Sequence, residues 1–166
     1  TEEQAVPIAV DACYPYGTMA TTGVCVAKTS KVCEPVAEKV VQSSGAPIQV
    51  TEFKQIAQPV GDTNTIQLRF TITVENQGDG EVFSISNTCP QPINPGEVSI
   101  KEIKLGSKTY GPEFCKESII TLSEGEGSVS CTIPVEVSGE YEEELTVYLS
   151  YIYKQRLTTE ISVMPS

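Results

Sequence analysis

The feature that most constrains how this chain can fold is a strict alternation of apolar and polar residues near its middle. Between residues 66 and 75 every second side chain is apolar, and each one between is polar. Because successive side chains of a β-strand point to opposite faces, this period of two predicts a strand with one buried face. Residues 76–80, Asn-Gln-Gly-Asp-Gly, are rich in residues that tolerate positive φ, and the alternation resumes at residue 81. We therefore predict two strands joined by a sharp turn.

Similar short alternating segments, separated by turns that contain glycine, fill the rest of the chain from residue 46 onward. Two of them, residues 145–153 and 157–163, stand close to the C-terminus and are predicted to pair as neighbouring strands. Counting from residue 46, seven or eight strands are expected. This spacing predicts an all-β fold, an immunoglobulin-like antiparallel β-sandwich with a disulfide-stapled N-terminal extension.

The six cysteines indicate disulfides and not zinc. They are dispersed without any CxxC pair, and the chain has no histidine. An oxidising compartment, extracellular or at the cell surface, follows as an expectation. Cys115 and Cys131 are predicted to bond, because they lie on strands close in sequence. The other four allow three connectivities, of which we favour Cys13 with Cys25 and Cys33 with Cys89.

The segment before the sandwich shows little periodicity. Residues 12–45 contain glycine, threonine, alanine and three of the cysteines, and they are predicted to form a cysteine-rich irregular cap. Residues 34–42 are the only helical candidate, since Pro35 could occupy the first helical position. Three regions are therefore expected: an N-terminal strand over residues 1–11, the cap over 12–45, and the sandwich over 46–166.

The N-terminal strand has an apolar face that needs a partner. Val6, Ile8 and Val10 alternate with smaller residues, and Pro7, which lacks an N–H, favours the edge of a sheet. Two interpretations stay open. Either the strand packs on the chain's own sandwich, or it is donated to the sheet edge of another subunit, where the three apolar residues would form the subunit interface.

Charge and hydropathy exclude several classes of partner. The chain has 22 acidic residues against 11 lysines and arginines, a net charge of -11, which argues against binding nucleic acid or anionic lipid. No stretch approaches the ~20 apolar residues that cross a bilayer, so no direct membrane insertion is expected. The sequence opens at Thr1 with no apolar signal core, and we expect an export signal to have been removed.

The sequence offers little catalytic chemistry. Without histidine it lacks the usual general base near neutral pH, and we predict no catalytic residues, no cofactor and no enzymatic activity. The glutamates at 124, 126, 140 and 142–144 are interpreted as solvated, edge-protecting residues. Asp79 and Glu81 are weak candidates for calcium, but their spacing matches no EF-hand, and no metal site is predicted.

The chain also resembles a group of uncharacterised archaeal cell-surface proteins, chiefly from small-genome symbiotic lineages, which carry immunoglobulin-like, adhesion-module ectodomains. The resemblance rests on Cys-Tyr-Pro-Tyr at 13–16, Val-Cys-Val at 24–26, the run from Phe70 through the 75–82 turn, the 115 and 131 cysteines, and Gly-Glu-Tyr at 139–141. It implies export, a sandwich and disulfides, and it implies no known activity.

Together these observations predict a non-enzymatic extracellular structural protein, a subunit of a surface filament or sheath. Copies of the chain would be its partners, assembled by donation of residues 1–11 to a neighbour. The alternative is a monomeric cell-surface ectodomain that binds a partner through exposed loops at residues 78–81 and 90–96. In that case the N-terminal strand would pair within its own chain.

Overall fold

The computed structural model describes residues 4–29 and 31–163. Within these ranges the chain forms eleven β-strands and one short 3-10 turn, Pro112–Phe114. The strands are β1 (Gln4–Val26), β2 (Val36–Lys39), β3 (Val41–Ser43), β4 (Ile48–Pro59), β5 (Thr65–Asn76), β6 (Glu81–Phe83), β7 (Glu97–Leu105), β8 (Lys108–Tyr110), β9 (Ile119–Thr121), β10 (Glu126–Glu136) and β11 (Tyr141–Val163).

The strands form two antiparallel sheets that pack face to face. The larger sheet has the order β3-β1-β11-β7-β8, with β6 also paired to β11 and β9 to β7, and the smaller sheet has the order β10-β5-β4-β2. The predicted all-β antiparallel sandwich is confirmed. Eight of the strands follow residue 46, in agreement with the strand count expected from the alternating segments.

The core lies between the two sheets and is built from the alternating apolar positions. In β5, the inward residues Ile66, Leu68, Phe70, Ile72 and Val74 are all buried, as the sequence pattern requires. Phe70 stacks on Phe53 of β4, with 5.3 Å between ring centroids. Because both sheets contribute such a face, each provides the layer that keeps water from the other.

The predicted irregular cap is wrong over most of its length. Residues 4–26 form the single strand β1, and the helical candidate at 34–42 forms the short strands β2 and β3. A hydropathy pattern does not reveal the alternation in β1, because the polar residues Thr18 and Thr22 occupy inward positions. Their hydroxyl groups donate to the carbonyl oxygens of Ile48 and Val40, and these bonds allow threonine to be buried.

The two C-terminal segments form one strand and not a neighbouring pair. β11 runs without interruption over 23 residues and pairs antiparallel with β1 along its whole length, from Gln4 opposite Val163 to Val26 opposite Tyr141. The residues between the two segments include no glycine, proline or asparagine that could make a turn. The odd-numbered residues therefore keep facing the same side from Leu145 to Val163.

All six cysteines are in disulfides, as predicted, but only one pairing is as predicted. Cys115 bonds Cys131, whereas Cys13 bonds Cys89 and Cys25 bonds Cys33. The favoured bond between Cys13 and Cys25 is wrong because both residues lie on β1. Twelve residues of extended chain separate their Cα atoms by about 40 Å, far beyond the ~6 Å that a disulfide spans.

The three disulfides indicate an environment outside the reducing cytoplasm. Over residues 4–29 and 31–163, no helix is long and apolar enough to cross a membrane.

Candidate interaction surface

The most unusual feature of the fold is a two-stranded ribbon that extends beyond the sandwich. It consists of residues 4–13 of β1 and 154–163 of β11, which pair with each other. The smaller sheet stops at the base of this ribbon, where Ile48 begins β4 and its N–H donates to the hydroxyl of Tyr151. Ten residues of each long strand therefore have one layer of sheet where the rest of the strand has two.

One face of the ribbon is apolar, and it continues the inner face of the sandwich. Residues directly opposite each other in a sheet point to the same side, so this face follows from the register of β1 and β11. Val10 lies opposite Leu157, and Val6 opposite Ile161. These side chains point to the same side of the sheet as Tyr14 and the core residues beyond it. Unlike the core residues, the apolar side chains of the ribbon are exposed: Val6, Ile8, Val10, Leu157, Ile161 and Val163.

The exposed fractions show that this face lacks a covering layer among the described residues. Leu157 is 58% exposed and Val10 is 56% exposed. In contrast, Tyr151 and Leu145, which occupy equivalent positions of β11 inside the sandwich, are fully buried. The ribbon thus carries a core-like face outside the core, the kind of exposed apolar patch that marks an interaction site.

The opposite face of the ribbon is polar. The Asp11 carboxylate accepts hydrogen bonds from the Arg156 guanidinium at 2.7 Å and 3.0 Å. These bonds lower the pKa of the Asp11 carboxyl group and raise the pKa of Arg156. Since both side chains are exposed, this pair contributes little to stability.

The charges of the ribbon cancel, although the chain as a whole is strongly acidic. Residues 4–13 and 154–163 contain two acidic side chains, Asp11 and Glu160, and two basic ones, Lys154 and Arg156. The remaining residues therefore hold the net charge of -11. A second acidic molecule would meet less electrostatic repulsion at this neutral surface than a surface with the average charge of the remaining residues would give.

Buried tyrosines hold the base of the ribbon. The hydroxyl of Tyr151 lies 3.1 Å from that of Thr18, and the hydroxyl of Tyr153 accepts a 2.7 Å hydrogen bond from the N–H of Gly80. Burial raises the pKa of both tyrosines. Gly80 approaches so closely that a Cβ atom there would lie 2.5 Å from the carbonyl oxygen of Lys154. The turn before β6 is thereby fixed against β11.

A disulfide holds the base of the ribbon on its other face. Cys13 belongs to the polar face and bonds Cys89 in the loop between β6 and β7. Ile152 of β11, which pairs with Phe83 of β6, is buried although its side chain points away from the core between the sheets. Both loops that the sequence suggested as a binding surface, residues 78–81 and 90–96, therefore start beside the ribbon base.

Residues 4–11 of the predicted donor strand 1–11 lie in this ribbon, and residues 1–3 lie outside the described residues. From Gln4 onward the N-terminal strand pairs with its own chain, so Val6, Ile8 and Val10 share their face with residues of β11. The sequence left open whether this strand packs on its own sandwich or on another subunit, and it did not indicate β11 as the partner because β11 was divided in two. The unbroken parity of residues 145–163 was the signal that could have revealed the ribbon.

The carboxylates considered for calcium or catalysis do not converge. In the described part of the chain, no three Cys, Asp or Glu side chains are placed to hold a metal ion. Asp79 and Glu81 flank the turn that Gly80 fixes against β11, and Glu142 lies 3.5 Å from the Nζ of Lys39. The prediction that the protein is not an enzyme stays a prediction.

Comparison of the chain with protein-family models, curated proteins and solved structures finds no match. The resemblance to archaeal cell-surface ectodomains therefore stays a prediction, and the functional argument depends on the geometry of the ribbon.

Proposed function

We propose that the protein is a non-enzymatic, extracellular structural subunit that assembles with copies of itself through the ribbon. The observation that carries this proposal is the uncovered apolar face of residues 4–13 and 154–163. Its side chains continue the core pattern on the same sheet, but no other described residue forms a second layer over them. A second ribbon supplies a matching apolar layer of the same length.

Three properties of the chain support the extracellular and structural parts of the proposal. The disulfides are typical of proteins that must stay folded in an oxidising environment outside the cell. The acidic surface favours solubility everywhere except at the neutral ribbon. The absence of histidine removes the most common catalytic base.

The proposal differs from donation of a free N-terminal strand. The described part of that strand already pairs with β11, so donating it would first break the cross-strand hydrogen bonds of residues 4–11. Docking of the intact ribbon needs no such step. The paired ribbon is therefore the unit that would assemble.

The test is light scattering after size exclusion, over a concentration series, on the full chain and two matched variants. Val10→Lys places a charge on the apolar face, and Ala9→Lys places the same charge on the opposite face of the same strand. We expect the full chain and Ala9→Lys to form the same large species, and Val10→Lys to form smaller ones. If the full chain stays monomeric at every concentration, the proposal is wrong.

A second candidate function is a monomeric ectodomain that recognises a partner through its loops. The observation that favours it is the pairing of the N-terminal strand within its own chain, together with the two loops that begin beside the ribbon base. Substitutions in residues 90–96 would then abolish binding to a host or envelope extract, and Val10→Lys would leave that binding intact.

A further inference from the structure

The ribbon has two edges, and they differ in their capacity to accept another strand. In the described part of the chain, β1 pairs on its outer side only with β3, at residues 20–22, and β11 has no outer partner beyond residue 154. Unpaired N–H and C=O groups along such an edge are a template for adding a strand from another molecule.

The edge of β1 lacks several of the donors that strand addition needs. The N–H of Met19 donates to Ser44 and that of Cys25 to Gln55, so odd-numbered residues of β1 point their backbone groups outward. The register is unbroken from residue 4 to 26, and Pro7 and Pro15 are therefore outward positions as well. Two prolines without an N–H blunt this edge, a common protection against edge pairing.

The edge of β11 has no such protection. The outward residues of β11 are even-numbered, since the carbonyl of Glu144 accepts from Gly106 on the outer side. Along the ribbon they are Arg156, Thr158, Glu160 and Ser162, and none is proline. This edge thus presents four consecutive outward donors and acceptors.

We infer that the ribbon edge formed by residues 156–162 of β11 pairs antiparallel with the same edge of a second copy, about a two-fold axis. This inference rests on the proposed function, and it names the first contact of the assembly. The product is a continuous four-stranded sheet, β1-β11-β11-β1, in which the two blunted β1 edges lie outermost.

The charged side chains along this edge are spaced so that two copies bring opposite charges together. Arg156 and Glu160 are both outward residues on the polar face and stand four positions apart. In a two-fold antiparallel pairing centred at Thr158, Arg156 of one copy lies directly opposite Glu160 of the other, and in one centred at Thr159 it lies diagonal to Glu160. Opposite charges in these cross-strand positions are favourable, and each contact occurs twice.

The apolar face of a single ribbon is too small for a stable stack, so we expect edge pairing to precede stacking. One ribbon is about 33 Å long, since it has ten residues at about 3.3 Å each, and its two strands make it about 10 Å wide. Its flat face therefore measures about 330 Å². A stable interface needs about 800 Å² per partner, so single ribbons stack only weakly. Edge pairing by a two-fold axis perpendicular to the sheet keeps both apolar faces on one side. The face doubles to about 660 Å², which approaches the size required for two pairs to stack.

The test uses two cross-strand neighbours as matched variants. Ala9 lies directly opposite Thr158 in the ribbon, and the N–H of each points outward, to the β1 edge and the β11 edge respectively. Thr158→Pro removes two hydrogen bonds from the two-fold contact, and we expect it to weaken association about thirtyfold. Ala9→Pro makes the same change on the blunted edge and should associate like the parent chain.

Amide hydrogen exchange of the unaltered chain gives a second readout that depends on no variant. When the protein is concentrated until nine-tenths of the chains are paired, hydrogen exchange at the outward amides of the β11 edge should become about tenfold slower. These amides are those of Arg156, Thr158, Glu160 and Ser162. Those of Ala5 and Ala9 should not change.

If Thr158→Pro associates like the parent, or if both proline variants lose association equally, the β11 edge is not the contact. In either case, sensitivity to Val10→Lys would leave the proposed function standing. A parent chain that stays monomeric overturns both proposals.

Discussion

Gln55 is among the largest side chains that the fold buries completely, although it is polar. Its amide accepts a 2.7 Å hydrogen bond from the N–H of Cys25 and donates to the carbonyl oxygens of Cys25 and Pro35. The side chain thus behaves like a short piece of strand that connects the end of β1 to β4. In the sequence, Gln55 is one more polar residue on a strand, and its burial could not be predicted.

Gln55→Leu should lower the free energy of unfolding by about 1–3 kcal/mol, because it leaves the buried N–H and C=O of Cys25 without partners. Urea denaturation measures the change. Gln58→Leu is the control: Gln58 lies on the same strand but is exposed, and its effect should stay within about 0.5 kcal/mol. Equal effects of the two substitutions would contradict this account.

The buried tyrosines determine how stability responds to alkali. Burial raises the pKa of Tyr151, Tyr153 and Tyr110, so each holds its proton longer in the folded chain than in the unfolded one. Above the unfolded pKa of about 10, the unfolded state alone loses these protons and becomes favoured. Stability should therefore be complete below pH 10 and fall as pH rises through the folded pKa values.

Thermal unfolding between pH 7 and 11 tests this expectation. Tyr153→Phe keeps the ring but removes the ionisable group, and it should reduce the alkaline loss of stability. Tyr148→Phe, on the outer face of β11, serves as the control. A pH profile of the Tyr153→Phe variant parallel to that of the parent would show that this phenol does not carry the effect.

At the scale of elements, the sequence predicts the strands whose inward residues are all apolar and misses those whose inward residues are mixed. β5 was predicted within one residue at each end. β1 was missed because hydrogen-bonded threonines occupy inward positions, and β11 was divided because Gln155 interrupts its apolar series between the segments 145–153 and 157–163. The candidate site consists of these two strands, and so only its apolar N-terminal half was predicted.

The disulfides also act at this scale, and they should differ in their contributions. Cys13 and Cys89 are 76 residues apart, and Cys25 and Cys33 only 8. In the chain-entropy treatment, closing the longer loop contributes about 2 kcal/mol more to stability. The Cys13→Ala and Cys89→Ala double variant should thus be the less stable of the two double variants in guanidinium chloride.

The burial of the cysteines predicts the opposite order of stability, so the comparison distinguishes loop closure from packing. Cys25 is completely buried, whereas Cys89 is exposed. Loss of packing alone would make removal of the Cys25–Cys33 bond the more damaging change. If that order is observed, loop closure is not the main contribution of the Cys13–Cys89 bond.

At the scale of the whole molecule, a strongly acidic body carries a neutral, partly apolar ribbon. Copies that approach each other repel through their bodies, and salt screens this repulsion, since the Debye length falls from about 30 Å at 0.01 M to about 3 Å at 1 M. The contact that we propose would be held mainly by backbone hydrogen bonds and apolar burial, on which salt has little effect. Salt should therefore promote assembly.

Sedimentation velocity at fixed protein concentration, from 0.01 M to 1 M sodium chloride, measures this response. We expect the weight-average mass to rise with salt for the parent and for Ala9→Lys. A steep fall instead would mean that ion pairs dominate the contact, contrary to the apolar face described above.

The continuity of β1 and β11 from ribbon to body has a mechanical consequence. A pull on the ribbon along its length acts parallel to both strands, so inside the body it loads their cross-strand hydrogen bonds in shear, many at once. Peeling the same strands sideways would break those bonds one after another. At the ribbon base, the bond between Cys13 and Cys89 passes part of the load covalently to the loop after β6. The ribbon should therefore resist a pull along its length much better than a pull to the side.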